Sequence, residues 1–180
     1  MSYYYLISSL PAIILGEKPY YSSEEFMKLC SIWIRNSDVE KLSKLTLNLE
    51  DTNTDNNFAR DWYKYEKILR NSSVKNRAPK LNKDPLPYLK PEDKIYTDIE
   101  RKVQDSFSSA TPLEKEMALD KLRWEIIDFL EIGHFFDLEK LCAYKLRLLI
   151  CEKWVARKKE TGQKNLDIVL DSLYQAKIFN

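Results

Sequence analysis

Apolar side chains recur at three- and four-residue steps along most of this chain, the pattern of amphipathic helices. The strongest run lies in residues 111–180. Thr111, Pro112 and Glu114 supply an N-cap, a proline suited to the first turn and a reciprocal capping acid. Ala118, Leu119, Leu122, Ile126, Phe129 and Leu130 then form one stripe that ends at a C-terminal cap, Gly133. A second helix opens at Asp137, with Glu139 in its first turn, although Lys140 holds the position that a full capping box gives to Glu or Gln. So short a connection predicts an antiparallel helical hairpin. From Leu138 to Ala156, turning about 100° per residue, apolar residues fall on nearly every side, and such a helix belongs inside a protein. A third helix from near Gly162 places Leu166, Val169, Leu170, Leu173 and Tyr174 on one face and closes a three-helix unit.

Upstream, Tyr3 to Leu10 fits either a short extended segment or a short buried helical turn, with helix favoured. Ser22 with Glu25 forms a capping box for a helix whose expected buried face is Phe26, Leu29, Cys30 and Trp33. Ser37 with Glu40 repeats the signal ahead of Leu42, Leu45 and Leu49, and Asp51 to Asn57 reads as a polar loop. A further stripe, Phe58, Trp62, Tyr65 and Leu69, predicts a helix over 57–70. Residues 71–91 hold four prolines and little periodicity, and helix resumes beyond Pro91 with Ile95, Ile99, Val103 and Phe107. The expected architecture is therefore all-α: an irregular helical bundle with an N-terminal part (1–70), a Pro-rich basic linker (71–91) and a C-terminal part (92–180) that can pack as one domain.

Composition narrows the function. Lys plus Arg number 29 against 28 Asp plus Glu, so the bulk basicity expected of non-specific nucleic-acid binding is missing. Cys30, Cys142 and Cys151 form no CxxC pair and fit core thiols in a reducing, cytoplasmic setting. The opening lacks the basic start of a signal peptide, and no run reaches the ~18 to 20 apolar residues of a membrane span. Membrane association is expected only through a complex.

Catalytic chemistry has little to stand on. His134 is the lone histidine; Glu131 and His134 have the Glu-x-x-His spacing of carboxylate di-iron bundles, but that site needs two such pairs. With three glycines, no phosphate-cradling loop can be written, and no serine sits in a nucleophile elbow. The chain is expected to be non-catalytic, with no metal or other cofactor. The informative residues are instead charges on the apolar helix 138–156. Lys145 and Glu152 share one side of it and Arg147 and Lys140 another, and each calls for a partner of opposite charge. Trp33, Trp62, Trp124 and Trp154 are expected packing anchors. The linker bases Arg77, Lys80 and Lys83 and the run Arg157, Lys158 and Lys159 are candidate partner-binding positions.

Several stretches carry a family resemblance: Tyr-Tyr-Tyr-Leu-Ile-Ser-Ser-Leu-Pro at 3–11, Ser-Ser-Glu-Glu-Phe at 22–26, His-Phe-Phe-Asp-Leu at 134–138, Ala143-Tyr144, and Glu-Lys-Trp-Val-Ala at 152–156. Through them the whole chain resembles a bacterial family of uncharacterised proteins encoded among the subunits of V-type (A/V-type) ATP synthases. That family is in turn distantly similar to the C-type subunit of these rotary enzymes, an all-helical funnel between the membrane rotor ring and the central shaft. The funnel protein is longer and has repeated helical domains, so this chain could supply only about one of them. The resemblance implies a helical subunit or assembly partner that contacts rotor ring or central shaft components, contributes to ion-transport coupling, and sits in the cytoplasm or peripherally on the inner face of the membrane. A nucleic-acid-associated helical module using the same basic clusters is the alternative.

Overall fold

Asn56, Ser22, Thr111 and Asp137 start helices by one device, a side-chain oxygen that accepts a hydrogen bond from the backbone N–H three residues on, at 3.0–3.2 Å. In the computed structural model, which describes residues 3–48, 55–91 and 96–157, the helices are α1 (Tyr3–Ser9), α2 (Ser23–Trp33), α3 (Asn36–Lys44), α4 (Asn57–Arg77), α5 (Thr97–Phe107), α6 (Pro112–Glu131) and α7 (Leu138–Ala156). Two 3-10 turns, Pro79–Leu81 and Leu86–Tyr88, lie between α4 and α5. The described residues contain no strand, so the fold is all-α. The expected third helix of the C-terminal unit lies outside the described residues.

Both capping boxes are present, at Ser22 with Glu25 and at Thr111 with Glu114. Gly133 closes α6 in the left-handed region (φ +87°), where a Cβ is disfavoured. The N-terminal segment is helical, not extended. Ser37 caps nothing: α3 already runs from Asn36, with Arg35 at the N-cap and no side-chain hydrogen bond there. α4 continues through Arg77, because Asn71, Ser72 and Ser73 are buried in spite of their polarity. The Ser73 hydroxyl donates back to the Leu69 carbonyl, and Asn71 exchanges two hydrogen bonds with the backbone of Lys90, which pins the returning chain to the helix.

α7 occupies the centre. One flank packs on α4 and α6, the other on α1, α2 and α3. α6 and α7 form the expected antiparallel hairpin, with Lys140 on Glu131 near the turn and Lys153 on Glu116 and Asp120 at the far end. α5 runs parallel to α4, since Tyr96 meets Tyr65 while Phe107 meets Arg77. Leu141 to Leu146, Leu148, Ile150 and Cys151 are all buried, as the lack of a polar face on this helix requires. Trp62, Leu69, Phe26, Leu42, Val103 and Ile127 join them in one core that spans both sides of residues 71–91.

Candidate functional site

The charges on α7 have three kinds of partner. Arg147 makes a two-pronged pair with Glu131 (Nη1 to Oε1 2.9 Å, Nη2 to Oε2 2.6 Å), reaches Asp128 at 2.6 Å, and stacks 5.6 Å from the Trp124 ring centre. Lys140 joins the same Glu131 at 2.9 Å. Burial alone would push the Glu131 carboxyl up, but the bonds from Arg147 and Lys140 outweigh it and hold it below its usual range. Among the described residues Lys145 and Glu152 have no oppositely charged side chain within ion-pair distance, contrary to expectation. Lys145 Nζ donates to the Leu42 and Ser43 carbonyls, at 2.6 and 3.0 Å, and so covers the C-terminal end of α3. Glu152 Oε1 accepts from the Ser23 backbone N–H, 2.6 Å away, at the first turn of α2. A cation at a helix C-terminus and an anion at a helix N-terminus each oppose the local end of the helix dipole, which is why backbone suffices as partner.

A second charged cluster escaped the sequence reading. The Glu66 carboxylate on α4 and the Asp120 carboxylate on α6 are fully buried. Glu66 accepts from Arg70 and twice from Arg123, at 2.7–3.0 Å. Asp120 accepts from Arg123, Lys153 and the Trp154 indole N–H. Burial works against the Arg123 charge, yet Glu66 and Asp120 together keep its pKa above the usual range. The signal was an acid lying on an apolar face: Glu66 falls between Trp62 and Leu69, and Asp120 lies four residues from Trp124. Among the described residues every buried side-chain nitrogen or oxygen has a hydrogen-bond partner, and Lys153 and Arg147 hold the Glu116 and Glu131 carboxyls below their usual range against the upward push of burial.

His134 Nδ1 lies 2.7 Å from Asp137 Oδ2, and ligand atoms of His134, Asp137 and Glu139 fall within 4.8 Å of one another. Asp137 is also the cap of α7, so this trio is explained by the helix start. Glu131, the other half of the Glu-x-x-His spacing, is held by Arg147 and Lys140. Cys30, Cys142 and Cys151 are free and buried, and burial raises each thiol pKa, so all three are core thiols.

The most distinctive surface is aromatic. The ring of Phe136, in the α6–α7 turn, lies 4.8 Å from Tyr4 on α1; Tyr4 lies 5.8 Å from Tyr5, and Tyr5 lies 6.4 Å from Trp33 at the end of α2. These four rings are 51, 55, 64 and 42 % exposed. Ile132 and Phe135 on the same turn, and Ile32 beside Trp33, are exposed too. The segments 3–11 and 134–138, far apart in sequence, thus meet in one ridge. Trp33 belongs to this ridge and not to the core, contrary to its expected place on the buried face of α2. Of the other tryptophans, Trp62 is fully buried while Trp124 and Trp154 are half-buried against the core.

The basic candidates separate. Arg77 and Lys80 converge on Phe107, with Lys83 exposed on the same turn. Arg157 stacks 5.1 Å from the Trp154 ring centre and lies 3.5 Å from Glu116. Lys158 and Lys159 lie outside the described residues.

A sequence model of a family described as a protein of unknown function (DUF2764) matches residues 100–176, a stretch that includes α6 and α7. No curated protein and no solved structure matches the chain. Among the described residues, no helix is long and apolar enough to cross a membrane.

Proposed function

We propose that this chain is a non-catalytic helical subunit or assembly partner of a V-type ATPase or ATP synthase. Like the C-type funnel component, it acts by protein contacts that join rotor ring or central shaft components and so support ion-transport coupling. The observation that carries the reading is the aromatic ridge. Two of the segments through which the chain resembles the ATP-synthase-associated family, 3–11 and 134–138, bring Tyr4 and Phe136 into contact in the open. Contiguous exposed rings of this kind mark protein contact sites, where Tyr, Trp and Phe supply most of the binding energy. The partner surface that fits the ridge is the apolar face of a helix. The satisfied buried ion pairs and raised thiol pKa values favour a rigid scaffold over an enzyme. In this reading the chain works in the cytoplasm, at the inner face of the membrane, held there by the complex.

Affinity capture of the tagged chain from its own cells under mild conditions tests the proposal. Rotary ATPase subunits in the eluate, in amounts comparable to the bait, are the expected result. Their absence overturns it.

A further inference from the structure

At the end of α4, two cations share one aromatic ring. The Arg77 guanidinium carbon lies 5.5 Å, and the Lys80 ammonium 5.7 Å, from the centre of Phe107, the last residue of α5. Each contact is attractive by itself. Two like charges on one ring nevertheless repel, and the carboxylates that answer neighbouring bases do not reach them: Arg70 pairs with Glu66 and Lys75 with Glu100, while among the described residues Arg77 and Lys80 have no acidic partner. The chain then turns back. Asn82 adopts the left-handed conformation (φ +50°), which Asn tolerates, and the Lys83 N–H donates to the Ala78 carbonyl at 3.0 Å, returning a third exposed base to the same turn. The negative end of the α4 dipole accounts for a base at Arg77. Lys80 and Lys83 lie beyond the helix, where that field has faded.

We propose that the turn from Arg77 to Lys83 is a docking point for an acidic segment of a partner protein, whose carboxylates bridge Arg77, Lys80 and Lys83. The Phe107 ring holds the first two charges in place before the partner arrives, and the guanidinium fork can take a carboxylate through two parallel bonds. An acidic peptide fits better than a nucleic acid. The whole chain has a net charge of only +1, and the Phe107 ring is half-buried against the core and already engaged by its own two cations, a poor platform for stacking bases. The inference goes beyond the proposed function, because it holds or fails whatever assembly the chain serves.

The test titrates the full chain with N-acetyl-hexaglutamate amide at low salt and follows the Arg77, Lys80 and Phe107 resonances by NMR. Saturable binding is expected. Arg77→Gln with Lys80→Gln, both exposed and without an acidic partner among the described residues, removes two weak ring contacts and so should lower the melting temperature by no more than about 4 °C, while weakening binding about tenfold, the scale of two exposed charge pairs. Phe107→Leu keeps both charges and removes the ring, so it should weaken binding by a smaller factor. Absence of binding at low salt, or equal affinity in the double variant, overturns the proposal. Tighter binding of a twelve-residue oligothymidylate, lost in the same double variant, overturns it in favour of a nucleic-acid surface.

Discussion

Lys145 and Glu152, two turns apart on α7, hold opposite ends of two different helices: Lys145 donates to the Leu42 and Ser43 carbonyls near the end of α3, and Glu152 accepts from the Ser23 N–H that opens α2. The central helix therefore organises the N-terminal helices electrostatically as well as by packing. Lys145→Met keeps the stem and deletes the donors, leaving the Leu42 carbonyl with the Leu45 N–H alone and taking the Lys145 donor from the Ser43 carbonyl. Burial lowers the Lys145 pKa, so the substitution also relieves a desolvated charge, but the loss of these two bonds at the helix end dominates. A loss of about 1–3 kcal/mol is expected by urea denaturation. Glu152→Gln keeps an acceptor and removes only the charge, and should cost about 0.3–1 kcal/mol. Reversal of that order would show that the helix ends are satisfied by other means.

Asp120 is the larger liability. It is fully buried and answers Arg123, Lys153 and the Trp154 indole at once. Asp120→Asn leaves two cations facing a neutral amide that must also turn its own N–H groups towards them. A loss of about 3–5 kcal/mol is expected, the range for breaking a buried pair from one side. Glu116→Gln removes a partly exposed partner of the same Lys153, and should cost no more than about 1 kcal/mol. Melting curves of the two variants side by side decide whether the network is structural to this degree.

Alkaline pH should destabilise the fold. Burial pushes the Cys30 and Cys142 thiols from 9.0 up to about 12, and Tyr144 from 10.0 up to about 12. The unfolded chain releases these protons first, so the folded state binds more protons between about pH 9 and 12, and stability falls as pH rises through that window. Lys145 acts in the opposite sense. Its folded pKa is lowered by burial, so its penalty fades as pH approaches the ordinary 10.5. These acids, joined by Cys151, Tyr3 and Tyr65, which burial also raises, outweigh one base, and the urea midpoint should drop between about pH 9 and 11. Cys142→Ala lowers stability throughout by lost packing, but it should flatten that slope; an unchanged slope would count against a buried thiol as its source.

How much of this was legible in the sequence follows from which interactions are local. The caps at Ser22, Thr111 and Asp137 lie within three residues of what they bind, so they could be read directly. Lys140 and Arg147, seven apart, were readable as sharing a side, and both do meet Glu131. Periodicity names a face but not what covers it. It could not tell that Lys145 and Glu152 would find backbone, or that Trp33 would face outward beside Tyr5. Nor could it show that Asn71 to Ser73 continue α4, since their burial depends on Lys90 and on side-chain bonds back to the helix. Glu66 and Asp120 were visible as acids on apolar stripes, but Glu66 meets Arg123 across 57 residues of chain.

The ridge separates function from stability most cleanly. Tyr4, Tyr5, Trp33 and Phe136 touch one another in the open and contribute little buried area to the core. Tyr4→Ser with Phe136→Ser should therefore change folding stability by no more than about 0.5 kcal/mol per site. If these rings anchor a partner, the same pair should reduce recovery of rotary ATPase subunits sharply, because each aromatic hot spot contributes about 2 kcal/mol or more to binding. Substitution of Glu17 and Lys121, exposed residues outside α1 and the chain of ring contacts, provides the control and should leave recovery intact. Undiminished capture by a stable Tyr4→Ser, Phe136→Ser chain would mean that the partner is held elsewhere, and the ridge would no longer support the proposed role.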